Sequence, residues 1–431
     1  METLQAKDLT ALQEITPNGK AFDTSKLFRL PWSLSDNAMT WLEPTRKCNI
    51  VCDACFHMND PLSQKSLEQI ELEVKTMLKL RRCDAMLIAG GEPLTHPNIA
   101  EITRIVKSYG VKPVLITNGV GLNRSKIHRL KEAGMHGFTF HIDSHQHRPG
   151  WRGKTETELN ELRQEFADML AEEGGLSCAY NMTVFPDTLK DVPAVVEWAA
   201  KNIDKVNIMT LIPVRMVSAS DPYNFYAGGE RIAISDTPYL SKENYRDLTA
   251  PEVYDEILKA LPDFKFNAYL GGTALPATPK WIIGNHLGTK ERFFGNMGPK
   301  TMELLQNVYH MFAGSYLAYA KPSLSRKAKL MFFFSLFDKE LRKTAGRFFR
   351  EAFRNPSLFL KNLHIQSISV VQPVDILPNG EKDNCDGCPN MTYWEGRLVA
   401  ACRLEEYLIY GGPISVTPKD PAENGKEASV S

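Results

Sequence analysis

The chain has 431 residues in which 51 Lys and Arg balance 51 Asp and Glu, so no global field draws it to nucleic acid. Its length exceeds one average domain and predicts a main domain with an accessory one. The first twenty residues lack a basic-then-apolar signal segment and no apolar run reaches membrane-spanning length, from which a cytoplasmic protein is expected. Eight cysteines are few for a disulfide scaffold, and six of them fall in two clusters, which favours metal ligation in a reducing compartment.

After an N-terminal extension over 1–37, short segments rich in branched and aromatic residues predict strands at 39–45, 86–91, 114–119, 138–143, 179–185 and 206–212. Between them Leu67, Ile70, Val74, Met77 and Leu78 mark one face of an amphipathic helix, and Ile99, Ile102, Ile105 and Val106 repeat the pattern. The alternation predicts an α/β fold, a parallel βα array over 38–215. Two further units that a closed eight-unit barrel needs are not evident, so a partial (β/α)6 TIM-type barrel is expected. Such sheets present their ligand groups at the carboxyl ends of the strands.

The chemical motifs fall at those ends. Cys48, Cys52 and Cys55 form a CxxxCxxC array after the first predicted strand. Three thiolates so spaced can hold three corners of a 4Fe-4S cluster and leave one iron open. A zinc knuckle, which wants a fourth Cys or His, and reduced structural thiols are the other readings. About thirty-five residues further on stands Gly90-Gly91-Glu92-Pro93 after the second strand, and Thr117-Asn118-Gly119 follows the third.

These three motifs in register resemble the radical S-adenosylmethionine (radical SAM) superfamily, over about residues 38 to 215. The resemblance implies a 4Fe-4S cluster whose free iron chelates the methionine moiety of S-adenosylmethionine. It also implies a flavodoxin- or ferredoxin-type electron donor and a 5'-deoxyadenosyl radical that abstracts hydrogen from the substrate. Cys48, Cys52 and Cys55 match the cluster ligands. Gly90, Gly91, Glu92 and Pro93 match the turn that receives the methionine amino group. Asn118, Asp143 and Ser144 stand where relatives hold the ribose and carboxylate, and Asn181 is a polar candidate of the same sort; each reads equally as a turn or strand-end cap. Many relatives carry an aromatic residue just before the third cysteine, whereas here Ala54 stands there and Phe56 follows.

Elsewhere the signals are more open. His141, His145 and His147, with Asp143, read as a polar loop or as substrate contact and acid–base groups rather than a metal site. Cys385 and Cys388 with Cys402 resemble the SPASM/Twitch-like auxiliary iron–sulfur extension, over 385–416, with a zinc site as the competing explanation. Cys83 and Cys178 sit at strand starts, where burial as small apolar residues is expected. Residues 216–384 read as an accessory, helix-rich region. Within it, residues 321–361 hold eleven Lys or Arg against three acids, a net of +8, interleaved with eight phenylalanines. That composition reads as a helix packed on the barrel by its rings, as a helix seated on the anionic cytoplasmic membrane face, or, less well, as a nucleic-acid contact. The tail, 417–431, reads as disordered. Function is expected at an unactivated C–H bond, of a lipid or isoprenoid or of a ribosomal peptide, with a non-catalytic iron–sulfur sensing module as the non-enzyme reading.

Overall fold

The computed structural model describes residues 23–218, 221–237, 239–240 and 245–419; most of the N-terminal extension and of the tail lies outside the described residues. A short strand β1 (Phe28–Arg29) precedes the six expected strands, each found within two residues of its expected limits: β2 (Met39–Thr45), β3 (Ala85–Gly90), β4 (Lys112–Thr117), β5 (Gly137–His141), β6 (Ser177–Val184) and β7 (Ile208–Pro213). Each pairs in parallel with the next. Their crossovers carry α1 (Leu67–Leu80), α2 (Ile99–Ser108), α3 (Arg124–Glu132), α4 (Asn160–Glu173) and α5 (Val192–Lys201). α1 starts where Ser66 accepts a hydrogen bond from the Gln69 N–H, satisfying one orphan donor of the first turn. It lays Ile70, Val74 and Met77 fully buried against the sheet. Met86, Ile88, Phe138 and Phe140 are likewise fully buried, as expected of parallel strands covered on both faces.

The sheet does not stop at the sixth unit. β8 (Tyr223–Ala227), β9 (Glu230–Ile232) and α6 (Ala250–Ala260) lead into β10 (Ala268–Gly271), β11 (Pro279–Thr289) and β12 (Arg292–Asn296). Then come α7 (Pro299–Ala313), α8 (Pro322–Ser325), α9 (Lys339–Arg354) and β13 (His364–Val371). β13 pairs in parallel with β7 and antiparallel with β11, and β10 and β1 extend the sheet beyond it. These strands escape an apolar pattern search because they carry polar residues that satisfy one another inside the fold. Asn285 donates to Ser367 Oγ (2.5 Å), Asn267 donates to Asn285 Oδ1 (3.1 Å), and Gln366 donates to the carbonyls of Ala199 and Val206 (both 2.8 Å).

The region 299–361 plugs the amino-terminal end of the strands. The Tyr319 carbonyl meets His136 Nε2 at 2.7 Å and its hydroxyl meets Thr139 Oγ1 at 2.9 Å, while Asp84, at the start of β3, accepts from Tyr309 Oη and from the Ala318 N–H at 2.8 Å each. Phe294, Leu341 and Phe348 form the apolar part of this floor. Segment 321–361 is therefore not one helix: short α8, a 3-10 stretch over Ala328–Leu336, α9 and a further 3-10 turn over Pro356–Phe359 follow one another.

The C-terminal strands β14 (Asp375–Ile376), β15 (Lys382–Asp383), β16 (Met391–Trp394) and β17 (Arg397–Ala400), with α10 (Leu404–Tyr410) and β18 (Ser415–Pro418), cover the side left open beyond β2. Thr40 donates to the Met391 carbonyl (2.9 Å), Asn37 to that of Gly387 (2.9 Å), and the buried Arg81 guanidinium to those of Met39, Cys388 and Pro389. Thr417 and Pro418, counted above with the tail, pair with Asn224 and Tyr223 in a sheet of β18, β8 and β9.

Candidate active site

β2 leads into the cysteine loop and β3 into the glycine turn, and the two lie backbone to backbone. The Gly91 N–H donates to the Thr45 carbonyl (2.9 Å) and the Glu92 N–H to that of Lys47 (2.7 Å). A Cβ at Gly91 would lie 2.3 Å from the Lys47 oxygen; one at Gly90, whose φ is +106°, would lie 2.5 Å from the Thr45 oxygen. Only glycine admits that approach. Around this junction opens a cavity of about 960 Å³ whose wall includes Cys48, Cys52, Cys55, Gly90, Gly91, Glu92, Asn118, Asp143 and Asn181. The same wall includes Cys385, Cys388 and Cys402, the first of them 330 residues after Cys55. Pro93 and Ser144 do not reach it: Pro93 opens a buried 3-10 turn, and the Ser144 N–H is held by the Glu156 carboxylate at 2.6 Å.

All eight cysteines are free thiols. Burial raises the pKa of each thiol in the first group: Cys48 above its usual range, Cys52 well above it, Cys55 to about 11. Cys55 has exposed surface, but that surface faces the cavity. Thiols so placed stay protonated at neutral pH unless a cation replaces the protons, as ligation by iron does. In the second group Cys385 and Cys388 share a hydrogen bond, which with burial holds Cys385 well above its ordinary range and lets Cys388 fall below it. Burial pushes Cys402 up to about 12. Positive charge from Lys280, Arg81 and Arg403 works the other way on these three, in that order, and favours thiolates. Among the described residues no group of three or more His, Cys, Asp or Glu is arranged to hold a single metal ion. Cys178 is buried and Cys83 packs against the outer core, both away from the cavity wall.

Glu92 is spent on structure. Its Oε1 accepts from Thr117 Oγ1 (2.7 Å) and the Leu94 N–H (2.9 Å), and its Oε2 from the Asn118 N–H (2.7 Å), tying the end of β3 to that of β4. Burial pushes this carboxyl up. Asn118 in turn reaches Asn49 Oδ1 at 2.8 Å and Cys48 Sγ at 3.9 Å. Asp143 is buried, which works against its charge, yet His141 at 3.0 Å holds it below the usual carboxylate range. Burial likewise opposes the His145 cation, but Asp53 (3.0 Å) and Asp187 (3.2 Å) hold its pKa above the ordinary range while its ring stacks on Phe185. His147 pairs with the other oxygen of Asp53 at 2.6 Å.

Three residues escaped the sequence reading. Arg148 is buried and donates to the Asn118 and His141 carbonyls, its charge lying near Asp143, Cys52 and Glu92. Asp53, inside the cysteine loop, binds that loop to the histidine stretch. Glu405, three residues after Cys402, accepts from Arg46 (2.7 Å) and from the Met58 N–H (3.0 Å), so the loop bearing the first cysteine group is anchored to the helix that follows the second. No local pattern marks these residues; only their spatial partners do.

Residues 42–199 match the family profile of the Radical SAM superfamily. The chain is 30% identical over 173 residues to GTP 3',8-cyclase of Chlorobaculum tepidum, covering 39% of this chain and 52% of that protein. It is 22% identical over 158 residues to Fe-coproporphyrin III synthase of Methanosarcina barkeri, covering 35% and 38%. The chain thus spans about half the length, or less, of these curated relatives. Among solved structures, SuiB of Streptococcus suis bound to the precursor peptide SuiA aligns over 42% of this chain and 40% of that one, at 15% identity and a TM-score of 0.34. The parallel sheet with three thiols and a glycine turn at its carboxyl ends coincides with the segment, residues 42–199, that is similar to the Radical SAM superfamily, whose members use a 4Fe-4S cluster and S-adenosylmethionine.

Proposed function

We propose that this protein is a radical SAM enzyme that removes hydrogen from an unactivated C–H bond of an apolar substrate, of the lipid or isoprenoid class. One observation carries the reading: the three-thiol loop, the glycine turn and an apolar wall of Trp41, Ile116, Phe185, Trp281, Val371 and Leu398 belong to a single cavity of about 960 Å³. Cavities of this size and lining suit ligands held mainly by apolar contact. None of residues 321–361 lines it, so the lipid reading rests on the wall and not on the basic aromatic segment.

Cys48, Cys52 and Cys55 would hold the cluster: all three are free and line the same cavity wall. When bound, the cluster and S-adenosylmethionine supply a one-electron reductive cleavage that yields 5'-deoxyadenosine and leaves the substrate short of one hydrogen atom. Gly90 and Gly91 bring backbone groups to the cysteine loop, and Glu92 fixes Asn118 beside Cys48. Asp143, held below the usual carboxylate range by His141, would present a negative charge to a cofactor bound in this cavity. Cys385, Cys388 and Cys402 would hold a second cluster facing the same space, and the surrounding Trp41, Phe185 and Trp281 keep water from the reacting carbon. Reducing equivalents would come from a flavodoxin- or ferredoxin-type donor.

The test is stimulation of 5'-deoxyadenosine release by anaerobic, iron-reconstituted protein given dithionite and fractionated cell extract. Stimulation by the organic-soluble fraction is expected. Stimulation confined to the aqueous peptide fraction would replace the lipid reading with the ribosomal-peptide one, and release that no fraction affects, in protein with full iron, would count against a substrate of either class.

A further inference from the structure

We infer that the floor of the barrel is a docking surface for an anionic lipid membrane. The 3-10 stretch Ala328–Leu336, α9 and the turn Pro356–Phe359 form one compact unit, joined by the Phe332, Phe348, Phe349, Phe353 and Phe359 rings at centroid spacings of 5.4 to 6.4 Å. Only part of it is used for packing. Phe348 is buried against Phe294, whereas Phe333 (77%), Leu336 (74%), Phe337 (71%), Phe353 (77%) and Leu360 (91%) stand in solvent. These side chains project from turns and a helix end and are interleaved with cations. Phe349 and Phe353 lie one turn apart on α9, with Arg350 and Arg354 about 100° round the helix beside them.

The charge decides the occupant. Among the described residues Lys321, Arg326, Lys327, Lys339, Arg350 and Arg354 have no acidic side chain within 4.0 Å, although the chain as a whole is neutral; of the segment's cations only Lys343, Arg347 and Lys361 have one. A protein interface would place its apolar residues at a centre depleted in charge. Exposed rings and leucines interleaved along the segment with uncompensated Lys and Arg instead match the headgroup region, where the rings enter the acyl boundary and the cations meet phosphate.

The position gives the consequence. α9 packs on β12, which pairs with the stretch of β11 that meets the start of β13, and this is the end of the sheet opposite the cysteine groups. A membrane on this surface leaves the cavity uncovered. Docking therefore fixes where the protein sits and does not gate the site, and it stands whether or not the substrate is a lipid.

Flotation of the full-length protein with phosphatidylcholine vesicles, with and without phosphatidylglycerol, tests this. Binding is expected with the anionic vesicles, weaker binding with the neutral ones, and loss on raising salt. Arg350→Gln with Arg354→Gln should weaken binding by about thirtyfold, since each surface cation contributes roughly a fivefold factor. Phe333→Ser with Phe337→Ser, at exposed positions that do not threaten folding, should also reduce it, and both variants should keep wild-type iron content and uncoupled cofactor cleavage. Equal flotation with both vesicle types, or none, overturns the proposal. So does a homodimer in size-exclusion chromatography that the Phe333→Ser, Phe337→Ser variant dissolves, which would assign the surface to a second copy of the chain.

Discussion

Glu92 offers the most direct structural test, because its replacement by Gln keeps shape and removes one acceptor. The carboxylate takes three hydrogen bonds with both oxygens, at 2.7 to 2.9 Å, and the residue is 1% exposed. An amide in either orientation turns one of those oxygens into a donor facing a donor. The Thr117 hydroxyl cannot easily turn away, since its oxygen already accepts from the Gly119 N–H at 2.9 Å. A buried donor left without an acceptor costs about 1–3 kcal/mol. Relief of a buried negative charge, whose pKa burial raises, offsets part of that. About 1–2 kcal/mol should remain, lowering Tm of the iron-free protein by roughly 1–2 °C, since unfolding entropy grows with chain length. The larger effect should fall on turnover. Asn118 loses its anchor, and with it the contact to Asn49 and Cys48; a displacement of about 1 Å at a reacting site costs on the order of a hundredfold. Thermal melting and 5'-deoxyadenosine release, at matched iron content, read the two effects separately. A Glu92→Gln protein that melts and turns over like wild type would refute the role of Glu92 as the strut between β3 and β4.

Gly91→Ala should fail to load a full cluster, because its Cβ would meet the Lys47 carbonyl at 2.3 Å and push the cysteine loop away; iron analysis after reconstitution checks this. Anaerobic protein should carry about eight irons if both cysteine groups hold 4Fe-4S clusters, and a variant with Cys385, Cys388 and Cys402 replaced by Ala about half as many. Zinc in the wild type with iron unchanged in the variant would instead support a structural zinc site. His286 is fully buried on β11, and burial alone pushes its pKa down to about 3 from 6.5. The unfolded chain binds the extra proton between those values, so stability is lost as pH falls through that window, at about 1.4 kcal/mol per pH unit from this group. Urea unfolding of iron-free wild type and His286→Leu at pH 6.5, 5 and 4 should show the shallower pH dependence in the variant.

The core was legible because its strands are apolar on both faces and its helices keep a regular period: Met86 to Ile88 and Phe138 to Phe140 announce themselves. The cysteine loop and glycine turn were legible because their chemistry is local, three thiols and two glycines within a few residues. β10 to β13 were not, since Asn267, Asn285, Gln366 and Ser367 look like surface residues until their partners across the sheet are known. Arg148, Asp53 and Glu405 were invisible for the same reason, their roles being set by groups up to 359 residues away. The segment 321–361 showed its composition but neither its broken helical path nor its place at the end of the barrel away from the cysteines. That place separates the proposed membrane contact from substrate choice, two readings that the composition alone links.

The central claim is that the Cys48, Cys52 and Cys55 loop drives reductive cleavage of S-adenosylmethionine. The measurement that tests it most directly is 5'-deoxyadenosine release by reduced, anaerobic protein, wild type against Cys52→Ala, each reconstituted with iron and sulfide. The wild type should form 5'-deoxyadenosine and methionine in equal amounts and the variant none. Equal release by the two, or none from wild-type protein that holds its full iron, would contradict the account.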